Sequence, residues 1–353
     1  MPQITHTPNN ILIQAPSWIG DLVMATASFT NIRQAFPDAR ISLLIKPGRE
    51  KVLAGAAYFD ELLTDTSKNG FNGFLKKAAR LRKRRFDLVI FFSDSLRVAT
   101  LAYFAGIPRR VGYRRNLRSL LLTKGLRYPG SRGVKTAEPM PTRYGRILDA
   151  LNVPQTQHRP LLAITEDEEQ RIRARRDALG ISAGQALVGF NPGASFGSSK
   201  IWPAHHFARL GDLIMEKYGV QVVLLAGPGE ESIAVAIQNA MKSKPISTVN
   251  SIIPLDELKP LVRDLRLLVT TDTGPRHYAV AFHVPVVVVM GATDPAYTNV
   301  NLDETEIIRR EDVSCSPCHL KICPIDHRCM EWIEPEHVLD RIEKLDRKFG
   351  MFS

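Results

Sequence analysis

The sequence predicts an α/β protein made of two doubly wound domains, each with a parallel sheet covered by helices on both faces. Short apolar runs alternate with longer helix-like runs between residues 11 and 104, and the alternation restarts at residue 186. Nearly continuous apolar strands are typical of a parallel sheet that is buried on both sides. A length of 353 residues suffices for two domains of ordinary size. We expect the domains to face each other across a cleft, with ligands at the carboxyl ends of the strands.

The first half of the chain divides into three strand–helix pairs and an irregular stretch. The pattern predicts strands over 11–15, 40–45 and 86–92, a helix that ends near 36, and helices over 71–84 and 96–104. Pro37 ends the first helix because proline cannot continue it. Residues 109–141 are rich in Gly, Pro, Arg and Ser without a clear period, which predicts loops. A helix follows over 143–151.

The second half repeats the alternation. A charged stretch over 165–179 is expected to lead into the second domain. The pattern then predicts strands over 186–190, 220–226, 265–270 and 285–290, and helices over 204–218, 231–242, 255–263, 274–282 and 334–348. We therefore place the domains at residues 1–165 and 166–333.

Composition and charge restrict the class of protein. No apolar run approaches the roughly 20 residues that span a bilayer, and the polar start lacks a signal-peptide core, so we expect a cytoplasmic location. The net charge of +11 is uneven: residues 76–146 hold 19 Lys and Arg against three acids. Such a basic half suggests an anionic partner, whether nucleic acid, a phosphorylated glycolipid or a membrane surface. The solvated face of one helix is the alternative explanation for residues 76–85.

Two glycine-bearing loops of the second half suggest a diphosphate site. One spans 191–203 and the other 271–277, and each lies between a strand and a helix. Small residues let a ligand approach the backbone closely, and a helix start offers unpaired N–H groups to an anion. The candidate residues for binding a nucleotide diphosphate are Ser195, Lys200, Asp272, Thr273, Gly274 and His277, together with Glu230, which could accept ribose hydroxyls. A nucleotide-linked substrate is the natural occupant.

Asp21 is the candidate general base of the first half. It lies in the loop after the first predicted strand, at the opening of a helix, where the active crevice of an open α/β sheet forms. A carboxylate there can accept the proton of an attacking hydroxyl. The alternative is a structural acid in the first turn of the helix, which helices favour.

In order and spacing these segments resemble the ADP-heptose–lipopolysaccharide heptosyltransferases, most closely the type II enzymes that add the second heptose. The resemblance covers nearly the whole chain and is carried by residues 15–21, 192–203, 272–277 and 291–295. It implies a GT-B fold of two Rossmann-like domains, with the acceptor bound by 1–165 and the nucleotide sugar by 166–333. It also implies that the last helix, within 334–353, packs back on the first domain. Phe196 stands where some relatives have a hydroxyl, which leaves Ser195 for that contact.

The resemblance further implies an inverting transfer of heptose from ADP-heptose to the phosphorylated inner core of lipopolysaccharide, without a required metal. Asp21 would be the base, and Lys200 with the helix start at Thr273 and Gly274 would hold the diphosphate as ADP leaves. A transferase of the same fold with another donor or acceptor is the nearest alternative. A zinc-bearing nucleic-acid-binding protein is the alternative from another class, although the basic stretch lacks interleaved aromatic residues.

The basic half contains the candidate acceptor-binding residues Arg109, Arg110, Arg114 and Arg115. Together with Arg118 they form a run that packing explains poorly, because guanidinium groups are seldom buried without partners. Arginine binds carboxylates and phosphates with paired hydrogen bonds, so an anionic acceptor would suit this run. The same charge predicts peripheral attachment to the anionic inner face of the cytoplasmic membrane.

The four cysteines lie close together in the sequence. Cys315, Cys318, Cys323 and Cys329 have the spacing C-x2-C-x4-C-x5-C. Such a set could hold structural zinc, but the sequence has one CxxC and lacks the paired knuckles of a typical zinc ribbon. Reduced cysteines packed in a loop are therefore the preferred interpretation.

Overall fold

The computed structural model describes residues 7–64, 70–129 and 137–353. The chain forms two compact units, of which the first ends at Ala163 and the second begins at Ile164. This boundary lies within two residues of the predicted one. In the described residues no helix is both long and apolar enough to cross a membrane.

The first unit is built on a parallel sheet of six strands. They are β1 (Asn10–Gln14), β2 (Arg40–Ile45), β3 (Glu61–Thr64), β4 (Leu88–Phe91), β5 (Arg109–Tyr113) and β6 (Lys124–Leu126), in the order β3-β2-β1-β4-β5-β6. Its helices are α1 (Ile19–Ala35), α2 (Phe71–Lys83), α3 (Leu96–Phe104) and α4 (Met140–Ala150). The central strands are almost entirely buried, as their continuous apolar sequences predict.

The second unit repeats this plan. Its strands are β7 (Leu187–Asn191), β8 (Gln221–Leu224), β9 (Ile246–Ser247), β10 (Leu267–Thr271), β11 (Val286–Val289) and β12 (Thr305–Ile308), in the order β12-β11-β10-β7-β8-β9. Its helices are α5 (Glu166–Ala178), α6 (Ala204–Tyr218), α7 (Glu231–Ala240), α8 (Leu258–Arg263), α9 (Gly274–Ala281), α10 (Arg328–Glu331) and α11 (Pro335–Phe349). The charged stretch before this sheet is helix α5, which begins with a capping box of Thr165 and Glu168.

Both sheets reverse their strand order once, between β1 and β4 in the first unit and between β7 and β10 in the second. The strands at these switch points end side by side, since Gln14 is in register with Phe91 and Asn191 with Thr270. Loops that follow such strands diverge and leave a crevice at the carboxyl edge of the sheet. The fold therefore provides one candidate site in each unit.

The prediction of loops over 109–141 is wrong in part, because this segment contains β5 and β6; its residues 130–136 lie outside the described residues. Both strands are short and lie towards one edge of the sheet. Arg109 and Arg110 begin β5 and leave only its last three residues fully buried. A strand with two leading arginines and a glycine lacks the apolar run that predicted strands such as β1 and β4.

The packing of the last helix on the first domain, which the resemblance implied, stays a prediction. Helix α11 belongs to the second unit. Its apolar side chains Val338, Ile342 and Leu345 are buried in the core of that unit, together with residues of α6 and β11. Amphipathic spacing predicts the buried face of a helix but not the surface on which it packs.

Candidate active site

Asp21 lies in the first turn of α1, at the switch point of the first sheet. The helix is capped at Trp18, whose side chain makes no capping hydrogen bond, so Asp21 is not the N-cap residue. Asp21 is half-buried and lines a cavity of about 420 Å³. A carboxylate in a cavity at the carboxyl edge of a sheet is placed to act on a bound ligand.

The walls of this cavity come from four segments of the first unit. They are the loop after β1, the loop after β4, the end of β5 and one face of α4. Tyr144 of α4 is buried, and its hydroxyl has no hydrogen-bond partner among the described residues. Burial raises the pKa of Tyr144 far above its usual range, and the Asp21 carboxylate adds to the effect. The Tyr144 hydroxyl therefore stays protonated and can donate to a ligand.

Asp94 follows β4 and gathers three guanidinium groups at the same cavity. Its carboxylate lies 3.0 Å from Arg118 Nη2, 3.6 Å from Arg115 Nη1 and 3.7 Å from Arg143 Nη2. Tyr128 donates a further hydrogen bond to it. One carboxylate cannot neutralise three cations, so this side of the cavity carries excess positive charge. The Nε of Arg143 is buried without a partner among the described residues.

The structure separates the arginines that the sequence had grouped. Arg115 lines the cavity, whereas Arg109 and Arg110 donate hydrogen bonds to backbone carbonyls. Arg114 is exposed and lies along Gly125 outside the cavity wall. Arg118 is fully buried, which corrects the argument that packing explains this run poorly. Its Nε and Nη1 donate to the carbonyls of two residues, at 2.8 and 2.6 Å.

The predicted donor residues of the second unit meet at the carboxyl edge of its sheet. Asn191 at the end of β7 donates 3.1 and 2.9 Å hydrogen bonds to the hydroxyls of Thr270 and Thr273. The loop after β8 reaches the same place, since a Cβ on Gly193 would lie 1.9 Å from the Glu230 carboxylate carbon. Three loops thus converge on one crevice.

Lys200 is fixed in this crevice by Asp272. Its Nζ lies 2.8 Å from both a carboxylate oxygen and the backbone carbonyl of Asp272. Thr293 and the buried Arg276 bind the same carboxylate. Burial acts to raise the pKa of Asp272, but the charges of Lys200 and Arg276 outweigh it and lower the pKa to about 2. The carboxylate is therefore ionised, and two cations surround it.

Helix α9 begins beside this ion pair. Thr273 is its N-cap residue, and its hydroxyl accepts a hydrogen bond from Asn191 rather than capping the helix. The N–H group of Gly274 in the first turn is therefore left to other partners. His277 is buried one turn further on. Burial, followed by the charge of Arg276, lowers the pKa of His277 to about 3, so the imidazole is neutral.

Ser195 and Glu230 complete the predicted donor set. Ser195 is exposed on the loop after β7. Glu230 accepts a 3.0 Å hydrogen bond from the backbone N–H of Gly227, and burial raises its pKa. A carboxylate held by a loop beside a glycine is suited to accept hydroxyl hydrogens of a ligand.

A larger cavity of about 510 Å³ lies elsewhere in the second unit. Gln221 and Ile246, the first residues of β8 and β9, are among its lining residues. It therefore lies at the amino edge of the sheet, opposite to the edge at which doubly wound folds bind ligands. None of the predicted site residues borders it.

Several site residues were not predicted from the sequence. Asp94 follows β4 as Asp21 follows β1, so the reasoning that found Asp21 could also have found it. Arg143 and Tyr144 lie within a helix, and only tertiary structure brings them to the cavity. Arg276 lies inside the 272–277 segment that was recognised, but its buried contact with Asp272 has no sequence signal.

Comparison with known protein families identifies the family of this chain. The model described as glycosyltransferase family 9 (heptosyltransferase) matches residues 74–328. The chain belongs to glycosyltransferase family 9. It is therefore a glycosyltransferase of the heptosyltransferase type, as the resemblance implied, rather than the nucleic-acid-binding protein considered as the alternative.

Similar proteins support the assignment. Lipooligosaccharide heptosyltransferase 2 of Haemophilus ducreyi is 28% identical over 316 residues, which cover 86% of this chain and 89% of that protein. The structure of E. coli ADP-heptose LPS heptosyltransferase II superposes with a TM-score of 0.78 at 25% identity, covering 96% of this chain and 99% of that one. A family 9 glycosyltransferase from Veillonella parvula gives a TM-score of 0.83 at 22% identity, with 96% and 97% covered. The predicted α/β fold with two helix-flanked parallel sheets is thereby confirmed.

Proposed function

We propose that this chain transfers L-glycero-D-manno-heptose from ADP-heptose to the phosphorylated inner core of lipopolysaccharide, as the enzyme that adds the second heptose. The observation that carries the proposal is the fixing of Lys200 by Asp272 beside the start of α9. This arrangement suits a diphosphate at the carboxyl edge of the second sheet. The name of the E. coli relative, an ADP-heptose LPS heptosyltransferase II, supports both donor and acceptor.

The donor binds to the second unit in this proposal. The diphosphate occupies the crevice at Lys200, Ser195 and the N–H groups at Thr273 and Gly274, and Glu230 accepts hydroxyl hydrogens of the ribose. Negative charge grows on the diphosphate as the bond to the sugar breaks, and a fixed ammonium group stabilises that charge without reorganisation. Since these groups supply the neutralising charge, we propose that catalysis requires no divalent cation.

The acceptor binds to the cavity of the first unit. Arg115, the partly unsatisfied Arg143 and the unpaired Tyr144 hydroxyl are suited to phosphate or carboxylate groups of the inner core. The acceptor hydroxyl attacks the anomeric carbon from the side opposite the diphosphate. Asp21 takes the hydroxyl proton, the bond to ADP breaks with its electron pair leaving on the diphosphate, and the configuration inverts. The two reactants meet if the units are arranged as in the GT-B fold, which we include in the proposal.

We also propose that the enzyme binds peripherally to the anionic inner face of the cytoplasmic membrane through a loop of the first unit. Leu117 and Leu120 are 91% and 95% exposed. Arg118 between them is fully buried and bound to backbone carbonyls, so it fixes the loop with both leucines outward. Exposed apolar side chains near the exposed cations Arg114 and Lys124 suit an anionic lipid surface.

The preference of the protein among nucleotides tests the proposed identity of the sugar donor. Calorimetric titration of the full chain with ADP, UDP, GDP and NAD should show clear preference for ADP. An assay with ADP-heptose and lipopolysaccharide that ends at the first heptose should yield ADP and a product of inverted anomeric configuration. Preference for UDP or GDP would move the chain to another nucleotide-sugar donor.

A further inference from the structure

All four cysteines of the chain border one small cavity in the second unit. Its volume is about 60 Å³, and Cys315, Cys318, Cys323 and Cys329 all line it. The rest of the wall is mostly apolar and includes Ala292, Leu320, Pro324 and Ile325. The sequence spacing could not show this convergence, because cysteines 3 to 14 residues apart in a loop can point in different directions.

The segment that carries these cysteines is not held by an apolar core of its own. Residues 309–327 form neither helix nor strand. Ile322 is 72% exposed, Ile325 59% and Leu320 46%. Irregular segments of this length in a compact domain are uncommon unless they are functional, and small substructures without a core usually depend on a disulfide or a metal.

We propose that Cys315, Cys318, Cys323 and Cys329 together bind one thiophilic metal ion, Zn²⁺ or iron, which fixes this segment. Four cysteines that line one small cavity suit these ions, and neither magnesium nor calcium prefers sulfur ligands. In a reducing compartment such a set favours metal over disulfides. The proposal replaces the interpretation preferred from the sequence, that of reduced loop cysteines.

Binding requires the segment to tighten around the ion. In the described part of the chain, the one group of three metal-ligating side chains with ligand atoms all within 4.8 Å is His205, His206 and Glu331. Thiolates at about 2.3 Å from a tetrahedral ion lie about 3.8 Å apart. The cysteines do not form such a group, so their sulfur atoms must move closer together when the ion binds.

The cysteine segment also supports the loop that carries Lys200. The backbone N–H of Ser199 donates a 3.1 Å hydrogen bond to the carbonyl of Lys321, and His327 Nε2 lies 2.9 Å from the carbonyl of Ser199. Gly197 has a φ of +156°, and a Cβ on it would lie 2.2 Å from the Lys321 carbonyl oxygen. The metal would thus stabilise the wall behind the proposed donor site. The metal site itself does not depend on the proposed function.

Metal analysis of the full chain tests the proposal. Protein expressed with added zinc or iron and purified without chelator should contain about one Zn or Fe per chain by elemental analysis. The double variant Cys318→Ser, Cys323→Ser should lose this metal, while His205→Ala should keep it. The identity of the element in the wild-type protein distinguishes zinc from iron.

Two further measurements keep the test decisive if the double variant does not fold. Wild-type protein loaded with Co²⁺ should show the thiolate-to-cobalt absorption of a tetrahedral sulfur site. Removal of the metal should speed amide hydrogen exchange in residues 193–200 and 315–329 but not in the first unit. A metal-free protein with four titratable thiols, or disulfides found by mass spectrometry, would overturn the proposal. So would metal that is lost from His205→Ala instead.

Discussion

Lys200 and Asp272 form an ion pair that is almost buried, with only 11% and 12% of their side chains exposed. Burying such a pair costs solvation, and the Coulombic attraction repays that cost only when further hydrogen bonds satisfy both groups. Here Thr293 and Arg276 supply those bonds to Asp272. The ammonium group of Lys200 is therefore positioned before the substrate binds, which is what electrostatic catalysis requires.

We expect Lys200→Ala to slow heptose transfer by about 10²–10³-fold and to weaken ADP binding, because it removes a fixed charge from the leaving diphosphate. Steady-state kinetics and calorimetry with ADP measure the two effects. Lys217→Ala is the control, since that lysine is exposed on α6 and pairs with Glu343. Equal kinetics of both variants would remove Lys200 from the donor site.

His277 gives the second unit a pH-dependent stability. Burial keeps the imidazole neutral in the folded state down to about pH 3, whereas the unfolded chain protonates it near its usual pKa of 6.5. Between these values the unfolded state binds more protons, so the free energy of unfolding falls as the pH is lowered from 6.5 towards 3.

We therefore expect His277→Gln to flatten this dependence by up to about 1.4 kcal/mol per pH unit. Urea unfolding at several pH values between 7 and 4 measures the slope. The exposed His205, changed to Gln, serves as the control and should leave the slope as in the wild type. A His277→Gln slope equal to that of the wild type would show that the folded state protonates His277 normally.

The strands and helices that contain long apolar or amphipathic runs were predicted most accurately from the sequence. Strands such as β2 and helices such as α3 and α6 coincide with the predicted ranges, because uninterrupted apolar or amphipathic runs determine them. Besides β5, the strands that the sequence did not predict are β3, β6, β9 and β12, which are the edge strands of the two sheets. They are only partly buried, so they lack the continuous apolar run of the central strands.

The residues of the candidate site likewise divide into those that local sequence predicts and those that only tertiary packing brings to the site. Asp21, Lys200 and the start of α9 follow strands in the sequence. The rule that ligands bind at the carboxyl ends of strands therefore predicted them as site residues. The side chains that come to the site from within α4, Arg143 and Tyr144, depend on how that helix packs. The burial of Arg118 likewise depends on Asp94, which is 24 residues away in the sequence.

The loop between β5 and β6 has a testable role at this scale. We expect the double change Leu117→Ser, Leu120→Ser to lower binding to vesicles containing anionic lipid, because two exposed apolar side chains no longer enter the interface. Co-sedimentation measures binding, and Leu302→Ser, at a partly exposed leucine of the second unit, is the control. If vesicle binding survives the double change and falls only with added salt, the attachment is electrostatic.

The whole molecule repeats one topology with different chemistry. Both sheets have the same strand order around one switch point. The first crevice, however, contains the carboxylate of Asp21 near arginines, and the second contains a fixed lysine at a helix start. Such a division suits a two-substrate reaction in which each unit binds one reactant.

If each unit binds one reactant, a substitution in the first unit should impair acceptor use without changing ADP binding. Arg115→Ala should raise the acceptor KM about tenfold or more, as expected for a lost charge-assisted hydrogen bond, and leave ADP affinity unchanged. Arg114→Ala, at a neighbouring arginine outside the cavity wall, is the matched control for acceptor use. Weaker ADP binding by Arg115→Ala with normal acceptor KM would assign the cavity to the donor instead.

The most direct test of the central claim is single-turnover transfer by Asp21→Asn, with ADP-heptose and the acceptor both saturating. The amide preserves the shape of the side chain but cannot take the hydroxyl proton, so the rate should fall about 10²–10⁴-fold. Calorimetry should show unchanged ADP affinity, and Asp38→Asn, at an exposed position beyond α1, should retain full activity. If Asp21→Asn keeps more than half of the wild-type rate, Asp21 is a structural acid of helix α1 and the proposed mechanism is wrong.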